Sequence, residues 1–479
     1  MSESLKTKTV KGTIWSSVER FSAQGVSFIV MIIMARILTP DDYGLVGMIT
    51  IFMAISQSLI DSGFSQALIR KQDRTEIDNS TVFYFNIVVS IVLYLILFFC
   101  APLIARFYDE PQLTPITRAI GLGLIFNSLA IVQRALLTLN LNFKTQAKAT
   151  LIGAVVSGIV GILLAYKGFG VWAIVICQLA NTGLVTILLW IFSHWKPILA
   201  YSWKSFRELF SFGSKLLASG LIDTIYRNLY LILIGKVFKA SDLGYYTRAQ
   251  QFADFPSSNL TGIFQRVTYP VLCTIQDSDE RLADVYRRLL KTSAFIIFPL
   301  MTGLAAVSKP LVVSFLTEKW LFTASLLIPI CLSQMWYPVH AINLNLLQVK
   351  GRSDLFLKLE IVKKIVGVII ICATIPFGLM AMCWGMVISS LLCLVINTHY
   401  TGKLINLGFL KQMWDLLPIL LLSFGMAIVV WLTMSVLPLT PVLVLITGLA
   451  EGIVIYTLAA KLLRFKEFQE LSVILHRNR

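Results

Sequence analysis

From Gly12 to Leu463 the chain runs almost without interruption through apolar stretches long enough to cross a bilayer. A helix needs roughly 20 predominantly apolar residues to traverse about 30 Å of hydrocarbon. Polar and Gly/Pro breakers divide the 479 residues into about fourteen such spans, near 12–38, 44–69, 81–107, 114–139, 148–166, 169–192, 213–235, 243–271, 287–308, 320–349, 357–375, 379–400, 411–436 and 441–463. With 57% hydrophobic and only 14% charged residues, a soluble domain of this length is excluded and an all-α polytopic membrane protein is expected.

A net charge of +16 could suggest nucleic acid, but the basic residues are scattered over many short loops. Topology accounts for them better. With the N-terminus inside, thirty Lys and Arg fall on the cytoplasmic side against eight outside; Arg20, Arg36 and Arg227 lie within or at the end of spans. This asymmetry predicts both termini in the cytoplasm and an even number of spans. The basic start MSESLKTKTVKGTIW enters the first span with no cleavage site of the secretory kind, so no removable signal is expected. Seven scattered cysteines show neither CxxC nor metal-ligand spacing. They read as small core residues, with no metal expected.

The outside connections are short, leaving no room for an external catalytic domain. Inside, 198–213 (ILAYSWKSFRELFSFG) and 277–291 (DSDERLADVYRRLLK) alternate apolar and basic residues at helical spacing. They are expected either along the cytoplasmic interface or as solvated basic loops.

Sliding the sequence on itself by 200 positions sets LTPDDYG (38–44) against FKASDLG (238–244), and a shift of 208 sets YKGFGVWA (166–173) against TIPFGLMA (374–381). Spans 1–6 and 7–12 thus read as parallel repeats, with spans 13 and 14 appended. The expected organisation is an N-lobe at 1–197, a cytoplasmic connector at 198–212, a C-lobe at 213–400, and two final spans with a basic tail at 401–479.

ARILTPDDYGLVGM (35–48), LIDSGFSQALIR (59–70) and STVFYFNIVVSIVLYLILFFCAPLIARFYDEPQL (80–113) resemble the polysaccharide-transporter, or Wzx-type, branch of the multidrug/oligosaccharidyl-lipid/polysaccharide exporter superfamily. The resemblance implies a V-shaped pair of six-helix lobes plus two C-terminal helices. It also implies a flippase that carries undecaprenyl-diphosphate-linked oligosaccharide across the bacterial inner membrane for lipopolysaccharide O-antigen, capsule or exopolysaccharide. The expected partners are that substrate, membrane lipids and glycan polymerase or assembly machinery, with no nucleic acid and a monomeric chain.

Charges at the centre of a spanning helix cost about 2.5–3.5 kcal/mol on insertion scales, so they normally face a partner or a watery cavity. In span 1, Ser16, Arg20, Gln24 and Ser27 form one stripe with Glu19 beside it. In span 7, Asp223 and Arg227 are spaced i,i+4 and can pair, with Tyr226 and Tyr230 continuing the side. Span 8 repeats Gln251, Asp254, Ser258, Thr261 and Gln265 at steps of three and four, between Arg248 and Arg266. That stripe is expected to line a cavity, the alternative being a polar seam within the lobe. Gln57, Asp61 and Ser65 mark one side of span 2, and span 4 carries Asn127, Arg134 and Thr138, Arg134 reading equally as an ordinary positive-inside anchor.

The expected substrate-binding residues are Arg20, Gln24, Arg227, Arg248, Gln251, Arg266 and Tyr230, the arginines because guanidinium pairs with phosphate oxygens. No ATP-binding GxxxxGK[ST] loop is present, so secondary transport is expected, with no cofactor beyond a coupling H⁺ or Na⁺. Asp223, Asp254, Glu19 and Asp61 are the candidates for that ion, Asp223 first. No catalytic residue is expected. Two rivals remain: a multidrug cation exporter of the same superfamily, and a polytopic glycosyltransferase or polymerase using the DxD at Asp277–Asp279.

Overall fold

The computed structural model describes residues 22–71 and 73–470, and leaves the side chains of 215, 216, 219, 266 and 267 undescribed. Glu19 and Arg20 lie outside the described residues. The described chain is helical: α1 Ser22–Ile37, α2 Pro40–Asp61, α3 Phe64–Arg70, α4 Glu76–Tyr108, α5 Leu113–Ser128, α6 Ile131–Leu139, α7 Phe143–Tyr166, α8 Val171–Ser193, α9 Trp203–Arg227 and α10 Leu229–Val237. There follow α11 Ala240–Thr274, α12 Asp279–Ala306, α13 Ser308–Leu316, α14 Leu321–Gln334, α15 Tyr337–Val349, α16 Ser353–Thr374, α17 Leu379–Ile405, α18 Phe409–Val436 and α19 Pro441–Leu462.

Among the described residues, ten continuous or gently broken helices are long and apolar enough to cross a membrane. The other four expected spans correspond to α1, of which residues from Ser22 on are described, to α9–α10, to α11 and to α16. Polar residues account for the shortfall in α9 and α11, and Lys358, Glu360, Lys363 and Lys364 do so in α16. Packing divides the chain into two compact units, Met1–Gly244 and Tyr245–Arg479.

In the first unit the motifs that carried the resemblance turn out to build the fold. Thr39 caps α2: its hydroxyl accepts from the Asp42 N–H while Asp42 accepts from the Thr39 N–H at 2.9 Å, and Pro40 occupies the first turn. The duplicated start of α11 repeats the device, with Asp242 accepting from the Lys239 N–H at 3.3 Å. These two starts meet. A Cβ on Gly44 would collide with the carbonyl of Ala240, and a Cβ on Gly244 with that of Pro40. Each glycine therefore admits the other repeat's first helical residue.

Ser62 and Gly63, both left-handed at φ 44° and 71°, break span 2 into α2 and α3 and aim Phe64 into an aromatic cluster with Phe85, Phe206 and Phe210. Ser80 and Thr81 on α4 are buried and accept from the N–H groups of Ile198 and Ser202 at 2.9 and 3.0 Å, which fixes the approach to α9. Lys71 bridges Asp78 and Glu208 at 3.2 and 3.0 Å. Burial opposes its charge, but hydrogen bonds to Glu208 and Asp78 outweigh it and raise its pKa.

The two basic segments expected along the cytoplasmic interface or as solvated loops are largely helical and run on into the spans that follow them. Residues 203–213 are the opening turns of α9, with Trp203, Phe206 and Phe210 stacked in sequence. Residues 279–291 open α12, where Leu282, Tyr286 and Leu290 are fully buried. Neither lies apart from its span, because each has one face committed to the protein core.

Span 4 breaks at Leu129–Ala130 and span 10 at Met335–Trp336, a separation that falls between the two shifts read from the sequence. In the second unit, α12, α15, α17 and α18 meet around a closed polar cluster. Asn343 and Gln412 exchange amide hydrogen bonds at 3.1 and 3.2 Å, and Thr401 donates to Asn343 at 2.6 Å. One stretch along α18, Arg287 grips Asp415 through two bonds of 2.6 and 2.7 Å, with Lys291 at 3.2 Å.

Candidate functional site: a polar cavity in the first unit

Span 7 is not one helix. It breaks at Asn228, whose side-chain amide donates to the Thr224 carbonyl at 2.8 Å, so Arg227 ends α9 rather than sitting in mid-helix. Its Nε lies 2.7 Å from Asp223 Oδ2, yet 73% of the Arg227 side chain remains exposed. So weak a burial makes the pair easy to exchange for another anion.

Arg227, Thr224 and Asn228 form one wall of a cavity of about 550 Å³, opposite Gln57, Ser58, Asp61 and Ser65 of α2–α3 and Asn127 and Arg134 of α5–α6. Ser58 and Thr224 hydroxyls lie 3.3 Å apart across it. Asp61 accepts from the Ser65 hydroxyl at 2.6 Å. Through Ala54, Gln57, Asn127 and Arg134 this space adjoins a second of about 680 Å³, walled by Thr50 of α2, Gln146 and Thr150 of α7, and Gln178, Asn181 and Thr182 of α8. The first part is charged. The second offers carboxamides and hydroxyls, with Arg134 at the junction.

Residues 33–325 match the sequence profile of the family described as polysaccharide biosynthesis protein. The chain belongs to that family. It is 25% identical over 429 residues to the teichuronic acid biosynthesis protein TuaB of Bacillus subtilis, covering 89% of each chain. To the lipopolysaccharide biosynthesis protein WzxC of Escherichia coli it is 26% identical, over 82% of this chain and 80% of that one. Among solved structures, the lipid II flippase MurJ in an inward closed conformation superposes with a TM-score of 0.79 at 16% identity, covering 94% of this chain and 99% of MurJ. An inward-facing MATE multidrug transporter superposes less well, with a TM-score of 0.61 at 14% identity over 84% and 98%. These likenesses establish the exporter fold of this polysaccharide biosynthesis protein, a multi-pass membrane protein.

The residues expected at the site are distributed unevenly in this family member. Asp61, Asp223 and Arg227 come together around the charged cavity. Gln24 on α1 and Tyr230 on α10 are half-buried, and neither lines the two spaces described. Arg248, Gln251 and Asp254 belong to the second unit, and the Arg266 side chain lies outside those described. The span 8 stripe is split: Gln251 and Ser258 are exposed, whereas Thr261 is buried and Asp254 accepts from the Gln334 amide on α14 at 2.5 Å. Ser257, one step off the stripe, donates to the Gln334 carbonyl at 2.9 Å. Part of that stripe is thus a seam against α14.

His340 is a hydrogen-bonded core residue. Ser390 gives its proton to the Ser333 carbonyl, so His340 Nε2–H donates to the Ser390 oxygen at 3.1 Å while Asn397 donates to Nδ1. Lys363 pairs with Glu360 one turn away, and Glu451 accepts from Thr433 on α18, facing a neighbouring helix. Asp279 of the DxD is bound by Lys350 at 2.7 Å.

Gln146, Thr150, Gln178, Asn181 and Thr182 escaped the sequence reading. The signal was present: Gln178, Asn181 and Thr182 at i, i+3 and i+4 share one face of α8. It lacked a charge to draw attention to it.

Proposed function

We propose that the chain is a flippase moving undecaprenyl-diphosphate-linked oligosaccharide repeat units from the inner to the outer leaflet of the bacterial inner membrane, for surface polysaccharide synthesis, by ion-coupled alternating access. The observation that carries this reading is the two-part cavity of the first unit, where arginines adjoin a space walled by amides and hydroxyls. Guanidinium groups suit a diphosphate, and neutral polar groups suit a glycan. The lining of the larger part contains neither carboxylate nor aromatic ring among the described residues, which disfavours organic cations as cargo. Family membership and the names of the relatives TuaB, WzxC and the succinoglycan biosynthesis transport protein ExoT of Rhizobium meliloti support the same direction.

In this reading both termini are cytoplasmic, and the chain does no bond chemistry. Arg227 and Arg134 take the diphosphate, and Asp223 holds Arg227 until substrate or a coupling ion competes. The two repeats rock as lobes to open the site to either side.

A deletion strain should accumulate lipid-linked repeat units facing the cytoplasm, and the intact gene should restore their export. An unchanged outward-facing pool in the deletion strain would sink the assignment. Asp223→Asn, at normal protein level, should slow export by about tenfold, the effect of losing one charge-assisted contact. Full export in that variant would remove Asp223 from the coupling role.

A further inference from the structure

The larger part of the cavity has its own chemistry. Thr50, Thr150 and Thr182 each spend their hydroxyl hydrogen on the carbonyl four residues back, those of Val46, Gln146 and Gln178, at 2.9–3.1 Å. The hydrogens of these three hydroxyls are thus committed within their own helices. Gln146 donates to Thr138 and to the Arg134 carbonyl at 3.0 and 3.2 Å, so its amide nitrogen is engaged as well. Gln178 is exposed in the wall of the space. Asn181 lines the space too, while its Oδ1 is buried near Gly153 of α7 with no hydrogen-bond partner among the described residues.

Carboxamides give and accept hydrogen bonds on one planar group, as sugar hydroxyls and N-acyl groups also do in pairs. A neutral, amide-rich wall beside an arginine at its rim separates two recognition tasks in space. We propose that the chamber formed by α2, α7 and α8 is a saccharide subsite that binds the uncharged, hydroxyl- and N-acyl-bearing sugars of the cargo, Gln178 and Asn181 being its principal readers. The diphosphate stays at Arg134 and Arg227. This rests on the flippase reading and adds where the glycan is held.

The test uses the full chain in lipid nanodiscs and two probes: undecaprenyl diphosphate without sugar, and the lipid-linked saccharide extracted from a strain lacking this chain. Wild type should bind the saccharide-bearing lipid at least tenfold more tightly than the bare lipid. Gln178→Met with Asn181→Leu should abolish that difference while leaving the affinity for bare undecaprenyl diphosphate unchanged. Thr182→Val, which keeps side-chain shape, should reduce the difference part-way and serves if the double variant does not fold. Equal binding of both probes by wild type, or an equal weakening of both in the folded variants, would overturn the subsite. Binding of neither probe by wild type would instead overturn the flippase assignment beneath it.

Discussion

The polar cavity of the first unit and the polar cluster of the second use similar residues to opposite ends. In the cavity, Arg227 is largely exposed and its carboxylate partner is nearly half exposed. In the cluster, Asn343, Thr401 and Gln412 are buried and turned on one another, and Asp415 is held on two sides by Arg287 and Lys291. Amides that satisfy each other across helices hold a bundle together. Amides that line empty space wait for a guest. Polarity in a spanning helix therefore does not by itself mark a transport path; what the polar group already binds decides it.

That contrast can be broken most severely at Asp415. Replacing both Arg287 and Lys291 by Met strands a carboxylate whose side chain is 7% exposed, at an expected cost of about 3–5 kcal/mol read as loss of thermal stability in detergent. Adding Asp415→Asn should recover most of it. If the double variant is as stable as wild type, the cluster is not a structural closure.

The opposite behaviour is expected at Arg134. Arg134→Leu should cost less stability than the paired change around Asp415 but lower export by roughly 10- to 100-fold at equal protein level, the equivalent of about 1.5–3 kcal/mol for a hydrogen bond to a charged group. Should stability fall with export intact, the cavity and the cluster would be alike after all.

A smaller effect is expected where the two repeats touch. Gly44→Ala and Gly244→Ala should each destabilise by about 1–3 kcal/mol through overpacking, visible as a lowered melting temperature. The double variant should cost less than the sum, because one intrusion already parts the helices. Strict additivity would show that the two glycines act separately.

Much of this architecture was legible in the sequence because lipid imposes it. Apolar length located the spans, but Thr39, Pro40 and Asp42, left in an outside connection by a span beginning at residue 44, start α2 at Pro40. Asp61 was visible as a charge within a span, whereas Arg134 read equally well as an ordinary positive-inside anchor. The breaks at Leu129 and Asn228 were not visible, since no proline or glycine marks them, whereas the break at Met335 carries its mark in Pro338, in the first turn of α15. Nor could spacing separate Asp254, which meets Gln334, from Gln251, which is exposed: both lie on one helical stripe, and only the packing of α14 distinguishes them.

The crossing of Gly44 with Ala240 and Gly244 with Pro40 carries a consequence for descent. After a duplication, the copies are ordinarily at liberty to diverge, each answering to its own surroundings. Here each copy is the surroundings of the other. A side chain gained in one turn is refused by the backbone of its twin, so the two motifs must be inherited, and altered, as a single character.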